Sequence, residues 1–102
     1  MYHNEDFVTL SQKNKKSLEH ILIKLGEEVG ELNEAFLNEI SSNGNEYKTK
    51  EKCKKELRDD VLEEAVDVLM IVYSFLIKKG FKEEEIDKTL KTKVEKWKKV
   101  SN

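Results

Sequence analysis

Three observations predict an all-helical fold: apolar residues recur at three- and four-residue steps over most of the chain, proline is absent, and the composition is 39% charged and 37% hydrophobic. Without proline nothing in the sequence breaks the backbone ladder of a long helix, and charge at this level suits helices with one apolar and one solvated face. At 102 residues the chain is read as a single domain, residues 1–102, with a modest core. A domain this small buries a limited share of its surface alone and gains from association.

The elements follow in order. Met1 to Leu10 is the least decisive stretch: Asp6 through Leu10 either begins a short helix or lies against the rest of the protein. Leu18, Ile21, Leu22, Leu25, Val29, Leu32 and Phe36 form the stripe of an amphipathic helix from Ser17 or earlier to Ile40. Ser41-Ser42-Asn43-Gly44-Asn45 then supplies turn-forming residues, so a loop is expected there. From about Lys50 the period resumes through Leu57, Val61, Ala65, Val68, Leu69, Val72 and Leu76, and stops at Lys78-Lys79-Gly80, where cations and a glycine suit a helix C-terminus. A third helix is expected beyond it, with Glu83, Glu84 and Glu85 in its first turn and Ile86, Leu90, Val94 and Trp97 at helical spacing.

Between Ala65 and Ile77 every residue except Asp67 and Ser74 is apolar. A helix that is apolar all round must be enclosed, yet this stretch is too short for a bilayer and carries an acid. The expectation is a homo-oligomer, dimer or tetramer, with this helix near the interface.

Nineteen basic and 21 acidic side chains leave a formal charge of −2, so no overall field draws the protein to nucleic acid or to an anionic membrane, and neither is expected as a partner. Cys53 is the sole cysteine and can form neither an intrachain disulfide nor a thiolate metal site. No secretory signal is evident at the start, and a cytoplasmic location is expected.

The chemistry-bearing residues are acidic. Glu28 and Glu31 are three apart, as are Glu64 and Asp67, so each helix offers two carboxylates on one side. At about 100° per residue Glu28 lies at the edge of the first apolar stripe, between Leu25 and Leu32, with Glu31 and Lys24 just outside it. Asp67 is set in apolar sequence with no lysine or arginine between Arg58 and Lys78, and an ionised carboxylate so placed costs several kcal/mol, roughly, without a compensating cation. If the two helices pack together, four acids converge and repel unless a metal neutralises them. Hard oxygen ligands select Mg²⁺, Mn²⁺ or Ca²⁺; Mg²⁺, with Mn²⁺ possible, is the expected ion, since it commonly takes the rest of its shell from waters and substrate phosphates. Glu27 and Glu63 each precede a proposed ligand and are candidate bases, while ordinary surface glutamates explain them equally well. Asp60 has a similar status. Lys24, Lys93 and Lys96 are candidate phosphate contacts, and Trp97 a candidate platform for a base, each set against the plainer reading of a solvated lysine or a packing residue.

The segment Lys24-Leu25-Gly26-Glu27-Glu28-Val29-Gly30-Glu31-Leu32, followed by Leu62-Glu63-Glu64-Ala65-Val66-Asp67-Val68-Leu69, resembles the signature of the MazG-like all-α NTP pyrophosphohydrolases, and the likeness extends from about Leu18 to Trp97. The resemblance implies an antiparallel helical bundle of the all-α NTP pyrophosphatase type, completed by oligomerisation. It also implies Mg²⁺ held by Glu28, Glu31, Glu64 and Asp67, and cleavage of the α-β phosphoanhydride of an NTP or dNTP to a monophosphate and pyrophosphate. The stretch from Leu32 to Glu63 between the two pairs is longer than in many compact members, and there is no second repeat. Within the same superfamily a phosphoribosyl-ATP pyrophosphohydrolase is the alternative; outside it, a non-enzymatic helical oligomerisation module whose acids only solvate its surface.

Overall fold

The computed structural model describes residues 4–42 and 52–101, the side chain of Ser42 excepted. These residues form four α-helices, α1 (Glu5–Lys13), α2 (Leu18–Ser42), α3 (Lys54–Lys79) and α4 (Glu83–Ser101), and no strand. The all-α class is therefore observed. Among the described residues no helix is long and apolar enough to cross a membrane.

Each helix begins where local chemistry satisfies its first amides. The Asn4 side chain accepts the Phe7 N–H at 2.9 Å and caps α1, whose first turn carries Glu5 and Asp6. The Ser17 hydroxyl accepts the His20 N–H at 3.1 Å and starts α2. Before α4 the Lys82 N–H donates to the Glu85 carboxylate at 3.1 Å, one half of a capping box. The end of α3 is set by Gly80 at φ 107, a left-handed conformation that glycine adopts without penalty. Its N–H reaches the Ile77 carbonyl and the Phe81 N–H reaches that of Leu76, which closes a Schellman turn.

Two details differ from the sequence expectation. Ser41 and Ser42 belong to α2, since serine is tolerated in a last helical turn, and the remainder of the expected turn, Asn43 to Asn45, lies outside the described residues. Helix α3 begins at Lys54 after Cys53, whose carbonyl accepts the Leu57 N–H; Lys50 also lies outside the described residues.

The chain divides into two compact units, with the boundary inside α3. One holds residues 16–73, so it contains α2 and most of α3. There the covered residues fall at helical spacing on both helices: Leu18, Ile21, Leu25, Leu32 and Ala35 on α2, and Leu57, Val61, Ala65, Val68 and Ile71 on α3. Ile21, Leu57 and Tyr73 are the buried apolar residues of this unit. The other unit holds residues 1–15 and 74–102. Its core is Ile77 with half-buried Phe7, Val8, Phe75, Leu76 and Ile86, and the Lys78 ammonium donates to the Asn14 carbonyl at the end of α1.

In the apolar stretch of α3, Ala65 to Val72 are covered on one side only, whereas Tyr73 to Ile77 are all buried or half-buried. Val66, Leu69, Met70 and Val72 are exposed on α3, as are Leu22, Val29, Phe36 and Ile40 on α2. Among the described residues the enclosure expected for an all-round apolar helix is therefore incomplete over Ala65 to Val72.

Candidate metal centre

The site is built within the unit formed by α2 and α3. Angular position decides which acids enter it. The apolar stripe of α2 is wider than the face that α3 covers: Leu18, Ile21, Leu25 and Leu32 are turned inward, while Leu22, Val29 and Phe36 on the stripe's other edge are left exposed. The covered face is rotated toward Glu28, so this acid moves from the edge of the stripe to the middle of the contact and is only 7% exposed.

Glu64 lies on the covered stripe of α3 between Val61, Ala65 and Val68 and is half-buried. Asp67, about 60° further round its helix, is exposed. This corrects the expectation that Asp67 would be the enclosed acid; its apolar neighbours in sequence point to several sides, and only some of those sides are covered.

Glu28, Glu64 and Asp67 each bring one carboxylate oxygen to within 4.8 Å of the others. Glu31 is exposed and stands outside that trio, yet it is close enough for its charge to act on Glu64. All four acids therefore gather at one level of the helix pair. Their closeness has an electrostatic consequence: burial, then the charges of Glu31 and Asp67 and the hydrogen bond with Glu31, raise the Glu64 pKa above its ordinary value.

Two oxygens mark the site further. Glu28 Oε2 and Glu64 Oε2 are both buried without a hydrogen-bond partner. Buried carboxylate oxygens are normally satisfied, and an orphan pair facing other acids is a good fit to an unaccompanied cation. The donor set is oxygen alone, which suits a hard cation such as Mg²⁺, Mn²⁺ or Ca²⁺.

The remaining candidates are placed as follows. The Lys24 ammonium is 3.1 Å from Glu28 Oε1 and 3.4 Å from Glu27 Oε2, and these hydrogen bonds raise its pKa. It thus offsets charge on Glu28 while Oε2 stays unpaired, a role the sequence did not suggest. Glu27 and Glu63 are exposed, each next in sequence to a member of the trio. Asp60 pairs with Lys52 at 2.6 Å. Cys53 is a free, exposed thiol that donates to Glu56 at 3.2 Å. Lys93, Lys96 and Trp97 belong to the other unit, where all three are exposed on α4.

The chain matches no protein-family model, no curated protein and no solved structure.

Proposed function

We propose that the protein is a Mg²⁺-dependent nucleoside triphosphate pyrophosphohydrolase that cleaves the α-β phosphoanhydride of an NTP or dNTP. The observation that carries this reading is the meeting of Glu28, Glu64 and Asp67 with two buried oxygens left unpaired. It gains from the resemblance of the same residues to the MazG-like signature.

In this reading Glu28, Glu64 and Asp67 hold the ion, and Glu31 braces Glu64 or completes the shell. Bound there, Mg²⁺ or Mn²⁺ supplies positive charge for the phosphate oxygens and lowers the pKa of an attacking water. Glu27 or Glu63, exposed beside the trio, accepts the proton that this water loses. Lys24, which pairs with Glu28, would be the cation nearest to the acids for a substrate phosphate.

The exposed apolar residues of α2 and α3 favour a second element of the proposal, a homo-oligomer, because extensive exposed apolar surface is rare on a monomer. They are also what a non-enzymatic oligomerisation module would display, and the acids separate the two readings. The test is release of pyrophosphate from a panel of NTPs and dNTPs, with and without Mg²⁺. Turnover that disappears in Glu28→Gln and Asp67→Asn supports the enzyme; a phosphoribosyl-ATP pyrophosphohydrolase would instead turn over only phosphoribosyl-ATP. No turnover and no ion binding would leave the oligomerisation module.

A further inference from the structure

We propose that α4 pairs antiparallel with the α4 of a second copy of this chain. The proposal rests on the homo-oligomer reading above and assigns it a helix and a direction.

Helix α4 is 19 residues long and has no buried residue. Even so, Ile86, Leu90, Val94, Trp97 and Val100 lie within about a third of a turn of one another around its axis. Four of these are exposed, Trp97 at 72% and Val100 at 86%. An apolar stripe of this length on a helix of otherwise polar composition is the mark of a helix that lies against another.

The charges fix the occupant and its direction. Glu83, Glu84, Glu85 and Asp87 fill the first turns, whereas every charged residue from Lys88 to Lys99 is a lysine except Glu95. Acids at the start and cations at the end also suit the helix's own dipole, but that effect is confined to the terminal turns and does not reach Lys88, Lys91 or Lys93. Around the axis Asp87 and Lys98 border the stripe on one flank and Glu85 and Lys96 on the other; like flanks meet in an antiparallel pair, so one centred between Lys91 and Thr92 brings Asp87 to within two residues of the level of the second copy's position 98, and Glu85 to within two of position 96. Both contacts join opposite charges; along the stripe Ile86 is level with position 97, which is apolar, while Leu90 is level with position 93 and Val100 with position 83, which are charged. A parallel pair sets like against like at every level. An anionic lipid surface is a poorer occupant, because it requires lysines along the whole polar flank and would repel the acidic first turns.

The experiment is sedimentation equilibrium over a range of protein concentrations, together with the emission of Trp97, the sole tryptophan. Wild type should dimerise with a blue shift in emission. One variant carries Glu84→Lys, Glu85→Lys and Asp87→Lys; another carries Lys96→Glu, Lys98→Glu and Lys99→Glu. Each should associate at least about tenfold more weakly, since several symmetric pairs are reversed together. Mixing the two, or combining all six changes in one chain, should restore association, and circular dichroism checks that each variant is helical. A six-fold variant that stays weak, or recruitment of wild type to phosphatidylserine vesicles in place of dimerisation, overturns the proposal. A dimer indifferent to every reversal overturns the α4 pairing while leaving self-association through α2 and α3 in place. A monomer at all concentrations overturns both.

Discussion

The covered face of α2 and the exposed face of α4 break the burial rule in opposite directions. On α2 an acid, Glu28, occupies the middle of an apolar contact; on α4 apolar residues stand in water. The first arrangement leaves an unpaired oxygen that asks for a cation, and the second leaves an apolar stripe that asks for a partner of the same length. In the readings proposed above, the covered acid serves ion binding and the exposed apolar stripe serves assembly.

The largest expected effects lie at the acids. Glu28→Gln, Glu64→Gln and Asp67→Asn should each lower Mg²⁺-dependent pyrophosphate release by at least about 100-fold, measured by single-turnover kinetics, because each removes a charged ligand. Glu34→Gln, an exposed acid on the same helix, should leave it unchanged. If all four variants behaved alike, the acids would be a solvated surface.

Next in size is the core that holds the acids together. Ile21→Ala should destabilise the protein by roughly 2–4 kcal/mol in urea unfolding, since the side chain is buried and its loss leaves a cavity. By contrast, Glu28→Met should raise the melting temperature in the presence of chelator, because an apolar side chain in that place has no unpaired oxygen.

The pH dependence is subtler. The folded-state pKa of Glu64 is raised above its ordinary value of 4.5, so the folded protein retains a proton that the unfolded chain has released. In chelator, stability should fall as pH rises from about that value through the raised one and level off above it. Glu64→Gln should flatten that fall, and saturating Mg²⁺ should offset it by binding the charged form. Melting temperature against pH, with and without ion, reads all three. The smallest expected effect is at a helix cap: Ser17→Ala should cost about 1 kcal/mol, through loss of the bond to the His20 N–H.

Much of this was legible in the sequence, for identifiable reasons. Helices α2, α3 and α4 were visible because their apolar residues repeat over several turns, while α1 has too few turns to declare itself. The spacing of Glu28 with Glu31 and of Glu64 with Asp67 placed each pair on one side of its helix, and the four acids do gather. Which acid would be buried was not legible. Periodicity gives the centre of an apolar stripe, and the contact on α2 is displaced from that centre toward Glu28, with Leu22, Val29 and Phe36 left outside it. That displacement follows from how α3 lies against α2, which one helix's sequence does not encode. The pairing of Lys24 with Glu28 was hidden for a related reason: a lysine four residues before a glutamate is ordinary on a solvated helix, and it gains meaning only when the glutamate is buried.

The most direct measurement is a calorimetric titration of the purified protein with Mn²⁺ and Mg²⁺, in wild type, Glu28→Gln and Glu34→Gln. Wild type and Glu34→Gln should bind ions with the same affinity, and Glu28→Gln should show no measurable heat of binding. Equal binding by all three proteins, or none by wild type at millimolar ion, would contradict the assignment of the α2–α3 acids to a metal centre.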